Sequence, residues 1–126
     1  INNERWQFNH ILFQTVVYQS LLTTTQQQLH QKVGDALEKY WADYVADFAE
    51  ELAQHYLQAN TLEKALPYLI TAGERAANQD ANEEALIHFQ EASGILAKLP
   101  EVDPEIQWRI AVGLGDVYRF VGNYIE

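Results

Sequence analysis

The sequence contains no cysteine and no methionine in 126 residues. Without cysteine there are no disulfides and no thiolate metal sites, and a reducing compartment, the cytoplasm, is the expected location. The missing methionine, the start at Ile1 and the end at Glu126 inside a helical pattern read as an excised piece of a longer protein. Such a piece can lack the domain that carries its parent's activity. Proline occurs three times and glycine six times, so few positions punctuate the chain. Positive charge is scarce as well: 8 Lys and Arg face 18 Asp and Glu, a formal charge of −10. An acidic surface repels phosphate backbones and argues against sequence-independent nucleic-acid binding. The acids are dispersed, which is how solvated helix faces look. No apolar run approaches the roughly 18 residues that span a bilayer. The longest, Ile11-Leu12-Phe13 and Val16-Val17-Tyr18, are split by Gln14 and Thr15. No membrane segment is expected, and no signal-peptide pattern is visible in a piece that could have lost one.

What is present points to a folded helical body. About half the residues are apolar and 12% are aromatic, too many for a disordered chain. Apolar residues recur every three to four positions, the period of a helix. Trp6-Gln7-Phe8 alternates and reads as the end of a strand, with a first helix over residues 10–22. Thr23-Thr24-Thr25 is read as a break whose hydroxyls cap a second helix carrying Leu29, Val33, Leu37 and Tyr40. Gly34 weakens that helix by about 1 kcal/mol relative to alanine. A third helix covers residues 43–59 and ends at Asn60, which tolerates the left-handed conformation. Thr61 is the expected cap of a fourth helix over 62–78, with Pro67 inside it as a kink or a reset of the first turn. Asp80-Ala81-Asn82 is a turn, a fifth helix covers 83–99, and Asp103-Pro104 opens a sixth with the stripe Ile110, Leu114, Val117, Val121.

Short connections between such helices give antiparallel hairpins, and hairpins in series stack. The small residues sharpen this. Leu52-Ala53 and Tyr56, followed by Ala65, Leu69 and Ala72, have the spacing of a tetratricopeptide (TPR) repeat. Two helices cross closely only where small side chains meet, and an aromatic fills the adjacent hole. Leu114-Gly115 with Tyr118 looks like helix A of another repeat, with Gly115 at the close contact and Tyr118 in the core. Tyr56 and Tyr118 are 62 residues apart, short of two 34-residue periods. Ala85, Phe89 and Ala92 follow Ala65, Leu69 and Ala72 by 20, so the middle repeat is irregular. The fold expected is all-α: antiparallel helical hairpins stacked as a TPR-like solenoid, with an ordinary helical bundle as the plainer alternative.

A family resemblance extends this reading. Phe8-Asn9-His10-Ile11-Leu12, Tyr18, Leu21-Leu22, Leu29-His30 and Ala36-Leu37-Glu38 resemble a stretch of the large STAND-type signalling ATPases. Leu52-Ala53-Gln54-His55-Tyr56 and Glu63-Lys64-Ala65-Leu66-Pro67-Tyr68-Leu69, then Ala72-Gly73-Glu74-Arg75-Ala76, are similar to that family's later elements. The likeness covers residues 6–99. It implies that residues 1–24 are the end of a winged-helix-like segment, or a capping helix, and that 25–126 are a TPR-like arm with a truncated last repeat. In such proteins an ATPase is joined to a cyclase, kinase or DNA-binding output domain. The resemblance also implies that His10 faces the ATPase of the parent and senses its nucleotide. The family's paired arginines before Leu-His are Gln26 and Gln27 here, so any anionic contact of that pair is lost.

Chemistry is sparse. Glu51 and His55, and Glu84 and His88, are four apart and share helix faces, but two ligands make no metal site. No phosphate-binding loop, nucleophile elbow or zinc-protease motif occurs. The segment is expected to be non-catalytic, with no cofactor and no metal. Its expected partners are a protein, a peptide or a small inducer, together with the rest of the parent chain. Tyr44 and Trp108, near segment edges, are the candidate partner-binding aromatics. Ala53, Tyr56, Ala65, Leu69, Ala72, Ala85, Phe89, Ala92, Gly115 and Tyr118 are the structural repeat positions. The competing reading is a free-standing TPR adaptor.

Overall fold

A computed structural model describes the backbone of residues 2–125 and the side chains of residues 4–122. Its described residues are mostly helical, with no strand among them. The helices are α1 (Asn2–Tyr40), α2 (Ala49–Gln58), α3 (Leu62–Asn78), α4 (Asn82–Leu96) and α5 (Pro104–Ile125), with a 3-10 segment, Ala42–Phe48, before α2. Each helix packs on the next in sequence, and α3 also touches α5.

The first correction concerns α1. Trp6-Gln7-Phe8 is helical rather than extended, and the three threonines do not break the helix, which runs unbroken for 39 residues. The hydroxyls of Thr23, Thr24 and Thr25 donate back to the carbonyls of Gln19, Ser20 and Leu21 at 2.9–3.1 Å. Thr15 does the same to Ile11. Bonded to the turn behind them, these hydroxyls are not available to cap a new helix. With no glycine or proline before Gly34, nothing else in the stretch stops the helix.

The two hairpin turns follow one rule. Asn60 (φ 59°) and Asp80 (φ 61°) both take the left-handed conformation just past a helix end. After α2, the N–H of Asn60 donates to Leu57 and that of Thr61 to Tyr56. After α3, the N–H of Asp80 donates to Ala77 and that of Ala81 to Ala76. This is the paired bonding of a Schellman motif, which satisfies the last carbonyls and turns the chain back. Thr61 precedes α3 as expected, but its side chain makes no capping bond. Its hydroxyl donates instead to Gln31 on α1. Pro67 does not end α3, which continues to Asn78. The start of α5 is as read from the sequence: Asp103 Oδ1 accepts from the N–H of Glu105 at 2.9 Å.

Two apolar clusters hold the helices. Leu52, Tyr56 and Ala65 join α2 and α3 to Leu37 of α1. Leu66, Leu69, Ile70, Phe89, Ala92, Ile110 and Val117 join α3, α4 and α5. Tyr56 is seated against Gly34, where a Cβ would stand 2.9 Å from the phenol ring. Phe89 is seated between Gly73 and Gly113 in the same way. The glycine that permits close packing on α5 is therefore Gly113. Gly115 is exposed with nothing within 4 Å of its Cβ position, which corrects the sequence assignment. Tyr118 is likewise not a core residue but 51% exposed, its hydroxyl accepting from Gln90 at 3.2 Å. One residue along a helix turns a side chain by about 100°, and Val117 fills the core place instead.

Candidate functional site

The largest unusual surface is the first half of α1. Between Trp6 and Gln31 there is no Asp, Glu, Lys or Arg, in a chain that carries 26 such residues. Apolar residues there come in runs, Ile11-Leu12-Phe13, Val16-Val17-Tyr18 and Leu21-Leu22, and consecutive helical residues point about 100° apart. One face cannot hold them. The large apolar side chains from Trp6 to Leu22 are 41–68% exposed. Large apolar side chains exposed in such number mark an interaction surface. His10 lies on this helix, exposed, its ring stacked on Trp6 at 5.1 Å. No helix among the described residues is long and apolar enough to cross a membrane.

The second half of α1 anchors this projection. Tyr56, fully buried, sends its hydroxyl out to two carboxylates of α1, Asp35 (2.9 Å) and Glu38. Lys64 of α3 pairs with Asp35 at 3.1 Å and lies over the Tyr56 ring. Tyr68 stacks on the other side of the latch, 6.0 Å from Tyr56 and nearly parallel. The electrostatics follow from this crowding. The hydrogen bond from Tyr56, helped by Lys64, holds the Asp35 carboxyl below its ordinary range. Burial, then the bonds to Glu38 and Asp35, push the Tyr56 phenol well above its ordinary value. Burial and the Glu38 charge push Tyr68 up to about 12. One turn earlier, His30 and His55 meet Nδ1 to Nδ1 at 3.0 Å with ring centroids 5.3 Å apart. Rings that point nitrogen at nitrogen share one N–H···N hydrogen bond, so His55 is engaged with α1 rather than with Glu51.

The remaining sequence candidates are scattered. Tyr44 is 62% exposed at the kink in the 3-10 segment, where φ −123° and ψ 20° leave the helical region. Trp108 is 66% exposed and lines a shallow groove between α3 and α5 with Glu74 and Arg109, which are paired with each other. The structure does not bring Tyr44, Trp108 and His10 to a common site. Ala53, Tyr56, Ala65, Leu69, Ala72, Ala85, Phe89 and Ala92 are all buried at helix contacts. Among the described residues no three His, Asp or Glu side chains converge as metal ligands. The Asp35–Glu38–Tyr56–Lys64 latch escaped the sequence reading. Its signal was a tyrosine at a core position, since a buried phenol requires a hydrogen-bond partner.

An uncharacterized protein of Rhizobium meliloti (strain 1021) is similar to this chain, 29% identical over 101 residues. The match covers 76% of this chain but spans 9% of that protein. No protein family matches the chain. No solved structure matches it either.

Proposed function

We propose that this segment is a non-catalytic regulatory arm of a multidomain signalling ATPase of the STAND type, cytoplasmic, with α2–α5 forming a TPR-like stack of hairpins. The observation that carries the reading is the uncharged stretch of α1 from Trp6 to Leu22, whose large apolar side chains stand exposed around the helix. The neighbouring body that covers it is, in this reading, the nucleotide-binding part of the parent chain, with His10 turned toward it. The Rhizobium relative supports the setting, since there the matching stretch is a small part of a far longer chain. The small residues at the α2–α3 and α3–α4 crossings support the repeat reading. The mechanism is relay by differential binding. A partner that docks on α2–α5 and prefers one position of the arm shifts the equilibrium of the body that holds α1.

The reading frame upstream of residue 1 gives the first test: a phosphate-binding loop there supports the arm. Hydrogen exchange of the longer chain gives the second. Amides 6–26 should be protected there, and their protection should differ between ATP and ADP. An upstream sequence without a nucleotide site, or amides that ignore the nucleotide, would overturn the reading in favour of a free-standing adaptor.

A further inference from the structure

Coming from its projecting end, the first side-chain hydrogen bond that α1 makes to another helix, among the described residues, is the one from His30 to His55 of α2. Gln31 follows with its bond to Thr61, then Asp35 and Glu38 with the Tyr56 latch. The histidine pair, half-buried, therefore stands at the fulcrum of the exposed apolar half of α1. The ring centroids are 5.3 Å apart, which is the 3.0 Å between the two Nδ1 atoms plus a ring radius on either side. The nitrogens thus point straight at each other. Two ligands of one metal ion would converge on it at an angle, so the geometry fits a shared hydrogen and not a shared metal.

That hydrogen limits how many protons the closed pair can hold. A neutral imidazole has one N–H and one bare nitrogen. In the neutral pair one ring donates from Nδ1, and the other accepts at Nδ1 and keeps its own proton on Nε2. A first added proton goes to the bare Nε2 of the donor and leaves the contact intact. A second finds only the accepting Nδ1, and two N–H groups then face each other where one hydrogen fits. Histidine changes charge between about pH 5 and 8, and rings joined in this way titrate as a pair. The surroundings do not relieve the second proton. One turn on either side of His30, α1 carries Gln26, Gln27, Val33 and Gly34, none of them charged. One turn from His55, α2 carries a single charged residue, the exposed Glu51. A carboxylate there can face an outward Nε2, but it cannot lie between two atoms 3.0 Å apart. From α3 comes Lys64, held by Asp35 at 3.1 Å, and the 3-10 segment that follows α1 carries Asp43 and Asp47, the latter paired with Arg75. Neither α4 nor α5 touches α1 among the described residues.

We propose that His30 and His55 form a proton-operated clasp between α1 and α2. The clasp is closed while the pair holds at most one added proton and opens when it takes the second. The open pair binds one proton more than the closed one, so closure is complete above the histidine range and is lost as pH falls through it. Asp35, whose carboxyl is held below its ordinary 3.8, stays ionised over that range, so the Tyr56 latch persists. Opening is then a pivot of α1 about the latch, which re-aims its apolar half relative to the stack. The clasp belongs to this chain's own residues and does not depend on which body covers α1.

The test uses the whole chain, which has no cysteine, so cysteines introduced at the exposed Gln28 of α1 and Glu91 of α4 carry the only spin labels. Distances between the labels are measured from about pH 8 down to about pH 5. In parallel, NMR of nitrogen-15 histidine reads the coupling between the two Nδ1 atoms across their hydrogen bond. One narrow distance and a visible coupling are expected at the upper end. At the lower end a second distance should hold most of the molecules, and the coupling should vanish with the same midpoint. His55→Asn places an amide where Nδ1 was, which can donate to or accept from His30 in either charge state, and should keep a single distance throughout. It retains His10 and His88, so opening that survives in H55N belongs to those groups. A single distance at both ends in the parent chain, no coupling at the upper end, or the same opening in H55N overturns the proposal. If H55N does not fold, the parent chain decides: coupling and distance that change with different midpoints overturn it.

Discussion

Gly113 and Gly115 lie two residues apart on α5, and alanine should act on them with opposite sign. At both positions the helix gains about 0.8–1.0 kcal/mol of backbone propensity when glycine becomes alanine. At Gly115 that is the whole effect, because no atom lies within 4 Å of the new Cβ. At Gly113 the new Cβ would overlap the ring of Phe89. The ring cannot retreat toward α3, because Gly73 closes that side: a Cβ there would already stand 2.9 Å from Phe89 Cζ. Overpacking of this kind costs about 1–3 kcal/mol. The propensity gain cancels when the two variants are compared, so Gly113→Ala should be less stable than Gly115→Ala by about 1–3 kcal/mol. Urea unfolding followed by far-UV circular dichroism measures the difference. With a slope of about 1–3 kcal/mol per molar, the midpoints should separate by several tenths of a molar or more. Gly94→Ala, with open space at its Cβ, should behave like Gly115→Ala. If Gly113→Ala proves as stable as Gly115→Ala, the seat of Phe89 and the rotation of α5 are wrong.

Two further outcomes follow from the α1 anchor. Tyr56→Phe keeps the ring but removes the hydroxyl that joins α2 to Asp35 and Glu38, and should cost about 0.5–1.5 kcal/mol in the same unfolding assay, since the half-exposed carboxylates regain water. The pH dependence has two limbs. Asp35 has a lowered folded value, so its contribution is complete above its ordinary 3.8 and is lost as pH falls through the folded value. Tyr56 and Tyr68 have raised folded values, so theirs is complete below their ordinary 10.0 and is lost as pH rises, for Tyr68 through about 12. Two of the seven tyrosines should therefore gain tyrosinate absorbance late, with loss of helix signal. In the isolated chain, amides 6–26 should exchange far faster than those of α3, because a helix without tertiary contacts is marginal in water. Protection equal to that of α3 would mean that α1 is covered.

Local chemistry decided much of this molecule in advance. The three-to-four residue period dictated helices, Asn60 and Asp80 dictated where two of them end, and Asp103-Pro104 dictated where the last begins, because each of these depends on groups within a few residues. The buried stripe from Ala53 to Ala92 was equally legible, since small residues at helical spacing have few other uses. What the sequence left undecided depends on partners distant along the chain. Thr23-Thr24-Thr25 reads from the sequence as a break and a cap, and only the backbone course shows that the hydroxyls meet the carbonyls of the turn behind them. Gly113 and Gly115 are chemically identical, and only the rotation of α5 against Phe89 separates the packed one from the exposed one. The Tyr56 latch joins residues 18 to 29 positions apart, on three helices. No periodicity encodes such meetings, because they arise from how the helices cross, and the crossing is set by which small residues come face to face.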